Sequence, residues 1–268
     1  ASDPAAPVAG GGEPMTDYVV RFSPRQRAEH ALMLVVFTVL CVTGLPQKFF
    51  QADISVAIIN ALGGIGTVRW LHRAAGVVFV LMTVWHLGFV IAQVVTGRTK
   101  LTMAVTRKDF RDAIITLKYY LGMSNEQARF GRFDYKQKFE YWGLIMGGLV
   151  VGVTGFILLF PIEVASVLPA QLIPVAKAAH SNEGLLAFLT IVTWHVYSVI
   201  FSPEVFPLDK TIFTGRISIE RMRHEHPLEL EELVAEASLV GLDELEDFGH
   251  ARCGLRSARG CPSGRSTT

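Results

Sequence analysis

Charge is scarce in this sequence. Asp, Glu, Lys and Arg make up 18% of 268 residues, whereas about a quarter is usual for a soluble domain. Cysteine is scarcer still. Cys41, Cys253 and Cys261 form no CxxC pair, which argues against a cysteine zinc site, an iron–sulfur cluster and covalent cofactor attachment through CxxCH. Two of the three fall in a polar, tail-like C-terminus, so disulfide stapling is not expected. Neither sign of charge dominates, and a net charge of +1 excludes a strongly basic nucleic-acid binder. There is no glycine fingerprint for a dinucleotide.

What the chain has instead is apolar length. Half of it is hydrophobic, and its mean hydropathy is +0.37. Four apolar stretches run from about His30 to Pro46, Trp70 to Thr96, Tyr141 to Phe160 and Ala178 to Phe201. Each is near the length a bilayer demands. The expected fold class is all-α: an integral membrane four-helix bundle. A flexible N-terminal tail is expected over 1–20, the bundle over 21–202, and a cytoplasmic helical extension over 203–250. A disordered tail is expected over 251–268. Residues 1–14 are Ala/Pro/Gly-rich with no apolar run, and read as a tail and not as a signal peptide.

Lysine and arginine set the expected orientation. Arg21, Arg25 and Arg27 precede span one, ten basic residues lie between Arg98 and Lys138, and Lys210, Arg216, Arg221 and Arg223 follow span four. The opposite side has only Lys48, Arg69, Arg73 and Lys177 near its ends. Both termini and the middle loop are therefore expected to be cytoplasmic, with spans two and four running parallel. The outer connection 47–69 reads as a short amphipathic helix on the membrane surface. Residues 224–250 hold nine acidic residues and no Lys or Arg, and read as an amphipathic acidic helix.

Five of the eight histidines fall in or beside the apolar stretches: His30, His72, His86, His180 and His195. Ionisable groups in a membrane are costly and are functional candidates. His72 and His86 are fourteen residues apart, which sets them roughly 40° apart around a helix and roughly 21 Å apart along it. His180 and His195 differ by roughly 60° and 22 Å. Because spans two and four run parallel, His72 meets His180 near the outer face, and His86 lies at the depth of His195. Such an arrangement can clamp two flat macrocycles between helices, and imidazole is a common axial donor to haem iron. A site closed by two histidines suits electron transfer. Gly76 and Gly184 each lie four residues after a histidine, on its face, where a missing side chain lets a macrocycle edge approach. His30, at the cytoplasmic edge, is a fifth candidate, so either His30 or His86 partners His195. A zinc site would need three or four donors around one point. The competing readings are a transporter using the histidines as a proton relay and a non-redox membrane anchor.

Five segments, in order, carry a resemblance: RAEHALMLVVFTVLCVTGLP, WLHRAAGV, GRFDYKQKFEYWG, AAHSNEGLLAFLTIVTWHVY and TGRISIERMRHEHPLELEEL. Over about residues 20–232 the chain resembles the cytochrome b (gamma) subunit of membrane-bound formate dehydrogenases and its wider di-haem, four-helix family. The resemblance implies two haems b, with His72 and His180 holding the outer one and His30 and His195 the inner one. His86 resembles instead the second ligand of the cytochrome b type that has two histidines on each of two helices. The resemblance further implies a menaquinone or ubiquinone site at Asp134, Lys136 and Gln137. Here the sequence departs from the family's short amide and glycine. An iron–sulfur or multihaem cytochrome subunit on the outer face is the implied partner, and a bacterial cytoplasmic membrane the implied location. The chain is then an electron-transfer subunit of a larger quinone-linked oxidoreductase complex.

Overall fold

The computed structural model describes residues 18–99 and 101–239. The expected tail over 251–268, the first seventeen residues of the tail expected over 1–20, and the acidic stretch beyond Leu239 lie outside the described residues. The chain divides into two compact units.

The larger unit comprises residues 22–128 and 133–215. Helix α1 (Pro24–Lys48) begins at a reciprocal cap: Ser23 Oγ accepts from the Gln26 N–H, while Gln26 accepts from the Ser23 N–H. A short α2 (Asp53–Ala61) follows. Gly63 and Gly64, at φ +88° and +96°, then turn the chain into α3 (Ile65–Val95), a conformation that favours residues without a Cβ. After α4 (Arg107–Tyr120) come α5 (Tyr135–Leu159), a short α6 (Pro161–Val167) and α7 (Leu172–Thr190). The last span continues as π-helix over Ile191–His195 and Tyr197–Phe201. A single turn, α8 (Thr211–Thr214), ends the unit.

Four of these helices are long and apolar enough to cross a membrane: Pro24–Lys48, Ile65–Val95, Tyr135–Leu159 and Leu172–Phe201. The protein is an all-α membrane bundle. Each span is longer than its apolar run, because polar caps such as Ser23 and Asp134 start the helices before the hydrophobic residues begin. The main packing pairs are α1 with α3 and α5 with α7.

Helix α4 is turned inside out relative to a soluble helix. Asp109, Asp112 and Thr116 are buried, while Phe110, Ile114 and Leu117 are exposed. The buried face is held by Lys138 of α5, whose Nζ donates to Asp109 at 2.8 and 3.0 Å. Burial pushes the Asp109 carboxyl up, but the Lys138 ammonium and the Thr106 N–H outweigh it and hold the group below its ordinary value.

The smaller unit gathers residues 18–21, 129–132 and 216–239. Strand β1 (Tyr18–Val20), in the segment expected to be a flexible tail, pairs antiparallel with β2 (Arg216–Ser218), Val19 opposite Ile217. Helices α9 (Ile219–Glu225) and α10 (Pro227–Leu239) complete it. Val19, Ile217, Ile219, Met222 and Leu230 form its apolar core. Beside that core Arg21 donates to Glu229 at 2.5 Å and to the Arg132 carbonyl. His226 Nδ1 donates to the Gly131 carbonyl at 2.7 Å, and its Nε2 lies 3.0 Å from an Arg21 nitrogen. Arginine can only donate, so His226 is the neutral tautomer with Nε2 as acceptor.

Candidate functional site

Two pairs of imidazoles stand inside the larger unit. His72 of α3 faces His180 of α7 with ring centroids 6.1 Å apart and planes at 81°. His30 of α1 faces His195 of the π-helical segment at 6.3 Å and 43°. A π-helical turn inside a longer helix is rare and frequent at functional sites; here it carries His195.

Hydrogen bonds set the ring nitrogens. The Thr43 hydroxyl donates to the Val39 carbonyl at 2.6 Å, which leaves its oxygen to accept from His72 Nδ1 at 3.0 Å. His180 Nδ1 donates to the Val151 carbonyl at 3.0 Å, with Thr154 Oγ1 at 3.2 Å. His195 Nδ1 lies 2.9 Å from a Glu140 carboxylate oxygen. A carbonyl, a carboxylate or a hydroxyl already donating elsewhere can only accept here, so Nδ1 carries a proton in each case, and Nε2 is the nitrogen left to offer a lone pair in the neutral ring. This is the partner arrangement typical of metal-binding histidines.

His86 is placed differently. Its Nδ1 lies 3.1 Å from Glu29 and its Nε2 3.2 Å from the Tyr141 hydroxyl, so both nitrogens are engaged. Glu29 also accepts from Arg25 one turn earlier. The ring that faces His195 is that of His30.

A cavity of about 730 Å³ opens between the spans at the His72–His180 pair. Gly76 and Gly184 line it, and a Cβ built on either would meet nothing within 4 Å. Gly44 and Gly155 instead back the two rings: a Cβ there would come 3.0 Å from His72 and 3.2 Å from His180. A second cavity, of about 390 Å³, is lined by Arg27, His30, Ile212 and Phe213.

These residues fit a b-type haem. Two imidazoles on opposite sides of one metal ion, each bonded at about 2 Å, have ring centres about 6 Å apart, which is the spacing of both pairs. Among the described residues no three His, Cys, Asp or Glu side chains gather to hold an ion. A metal at either pair would have to take its remaining donors from outside these side chains, as from a macrocycle, and at His72 and His180 the glycine-lined cavity offers the room.

Asp134, Lys136 and Gln137 lie at the start of α5. Asp134 caps the helix by accepting from the Gln137 N–H at 2.8 Å, and Gln137 accepts from the Asp134 N–H at 3.2 Å. Burial raises the Asp134 carboxyl above its ordinary value, against those hydrogen bonds and the nearby Lys136 charge. Two of the three are thus engaged in forming the helix end. Thr43, Val151, Thr154, Glu140 and Gly155 were not singled out from sequence. The only signal they give there is a small or polar residue interrupting an apolar run.

No protein of curated function matches the chain. The sequence model of the prokaryotic cytochrome b561 family matches residues 21–214, from just after β1 through all four spans to the end of α8. With most of its length matched, the chain belongs to the prokaryotic cytochrome b561 family of membrane proteins, which transfer electrons on b-type haem.

Proposed function

We propose that this protein carries two b-type haems, one between His72 and His180 and one between His30 and His195. It passes electrons between a redox partner at the outer face and a membrane quinone near the cytoplasmic face, as the resemblance to formate dehydrogenase gamma subunits implies. The observation that carries this reading is the pair of 6.1 and 6.3 Å imidazole spacings, with three of the four Nδ1 atoms held by acceptors. Bound haem supplies reversible one-electron chemistry. The chain's own residues do the rest. Thr43, Val151 and Glu140 fix ring orientation and raise the basicity of Nε2, and the glycines make space. His86 is a hydrogen-bonding link between α1, α3 and α5 and leaves haem binding to His30.

The basic residues flanking the spans support a bacterial cytoplasmic membrane location with both termini inside. The absence of any substrate-oxidising motif supports a role as one subunit of a larger complex, its partner an iron–sulfur or multihaem protein. Asp134, Lys136 and Gln137 remain the proposed quinone contacts, with Lys136 free of the capping pair. The test is a reduced-minus-oxidised spectrum with haem counted per purified chain. Two haems b are expected in the parent, one in His30→Ala and two in His86→Ala. A flat difference spectrum removes the reading. Two haems in His30→Ala with one in His86→Ala would reassign the inner pair.

A further inference from the structure

Three of the four paired histidines have a cation three residues earlier on the same helix: Arg27 before His30, Arg69 before His72 and Lys177 before His180. Residues at that spacing are neighbours on one helix face. Each helix starts at the end of the bundle nearest its histidine. The cation therefore lies about one turn nearer the start of its helix than the imidazole. His195 sits where its span ends, so a cation preceding it would point into the bundle, and Val192 stands there.

These cations line the cavities, Arg27 half-buried and Arg69 and Lys177 exposed at the helix ends. Arg27 lines the cavity at His30. Its Nε is sealed from solvent and has no acceptor among the described residues. Arg27 as a whole is half-buried, so the cost of a missing partner falls on this one sealed donor. The side chain is nevertheless guided into place, because a Cβ on Gly215 would lie 3.1 Å from Arg27 Cδ. Arg69 and Lys177 line the larger cavity together with His72 and His180, as does Arg73 one turn after Arg69. Among the described residues none of these three cations makes a hydrogen bond or ion pair. Lys48, on the same wall, is already engaged by Ser181 at 3.2 Å and Asn182 at 2.8 Å.

The larger cavity thus presents two imidazoles, His72 and His180, beside Arg69 and Lys177, and the smaller one presents a single imidazole, His30, beside Arg27. An occupant that satisfies both must be a metal macrocycle with anionic groups on one edge, and haem b carries two carboxylates on one edge. Resting on the reading above, we propose that Arg69 and Lys177 receive the two carboxylates of the macrocycle at His72 and His180. Arg27 receives a carboxylate of the macrocycle at His30 and His195. A macrocycle so held would have its carboxylate edge toward the helix starts that carry these cations. These three residues position the haem and neutralise its edge; they do not ligate the iron.

The test is a redox titration of the full-length protein in lipid nanodiscs, with haem counted per chain. The parent must first show two haems b; if it shows none, the haem reading itself fails. With two present, Arg27→Gln is expected to lower the midpoint of one haem and leave the other unchanged, since a neighbouring cation favours the reduced form. Arg69→Gln and Lys177→Gln are each expected to lower the other midpoint. Arg27→Lys keeps the charge and is expected to stay near the parent value, which also serves if Arg27→Gln fails to accumulate. Both midpoints unmoved in all three glutamine variants would overturn the proposal. So would co-purifying anionic lipid lost from Arg27→Gln while both midpoints hold, because the cation then serves a head group.

Discussion

A histidine can offer a metal one nitrogen only if something holds the other. At His195 that partner is a carboxylate, Glu140, whereas at His72 and His180 it is a neutral hydroxyl or carbonyl. An anionic partner pushes electron density onto the imidazole and favours the oxidised metal. On the two-haem reading proposed above, Glu140→Gln is therefore expected to raise the midpoint of one haem and leave the second where it was, with two haems still bound; a redox titration followed in the visible bands reads this. The glycines behind the rings give a second expectation. In Gly155→Ala the new methyl group stands 3.2 Å from the His180 ring, and in Gly44→Ala 3.0 Å from that of His72. Each ring must yield by a few tenths of an ångström. Both variants are expected to hold the haem at that pair less firmly, with the His30–His195 pair unaffected, as haem content per chain would record. The histidines were legible in the sequence because an ionisable side chain in an apolar run stands out by type alone. Their supports were not, since Thr43 is 29 residues from His72 and Glu140 is 55 from His195. Neither pairing leaves a mark on local spacing. The tie between His86, Glu29 and Tyr141 was hidden for the same reason.

Helices show the opposite balance. The four spans were visible as apolar runs, and only their ends were misread, because a capping Ser or Asp and a first polar turn look like loop. Helix α4 was missed altogether. Its Arg, Lys and Asp residues gave a charged stretch between two spans, and nothing in that composition says that the acidic face turns inward. What fixes it is the ion pair of Lys138 with Asp109, both about 8% exposed. Removing one partner of such a pair strands the other and costs about 3–5 kcal/mol, whereas replacing both with apolar residues of similar size is often neutral. Lys138→Met is therefore expected to loosen α4, seen as faster hydrogen exchange of its amides, and Asp109→Leu combined with Lys138→Met to restore much of the protection. The depressed Asp109 value gives the matching acid response. Its contribution is present above the ordinary carboxylate range and fades as pH falls through the lower folded value, so the helix should be insensitive to pH near neutrality.

Across the whole molecule, the smaller unit joins three stretches that lie far apart in the chain. Arg21 reaches Glu229 over 208 residues, and His226 reaches Gly131 over 95. The His-Pro segment at 226–227 was recognisable as a motif, but its use as the meeting point of the three stretches depends on contacts that only the folded chain makes. His226 is the acid-sensitive member. Burial pushes its pKa down to about 4, and the positive charges of Arg21, Arg221 and Arg132 push the same way, against the hydrogen bond to the Gly131 carbonyl. The unfolded side chain takes up its proton near pH 6.5, whereas the folded one resists until about pH 4. Below pH 6.5 the unfolded form therefore binds more protons, and stability falls with falling pH until the folded histidine is protonated as well. A separation of this size corresponds to a loss on the order of 3 kcal/mol across that interval. Once charged, His226 can no longer accept from Arg21, so the hydrogen bond at 3.0 Å is lost as well. Hydrogen exchange in α10 and in the β1–β2 ladder is expected to accelerate between pH 6.5 and 4, after correction for intrinsic rates, while the spans keep their protection. His226→Gln removes the titrating group, and the acid-dependent acceleration should disappear with it; an undiminished response in that variant would assign the lability to the carboxylates Glu225 and Glu229.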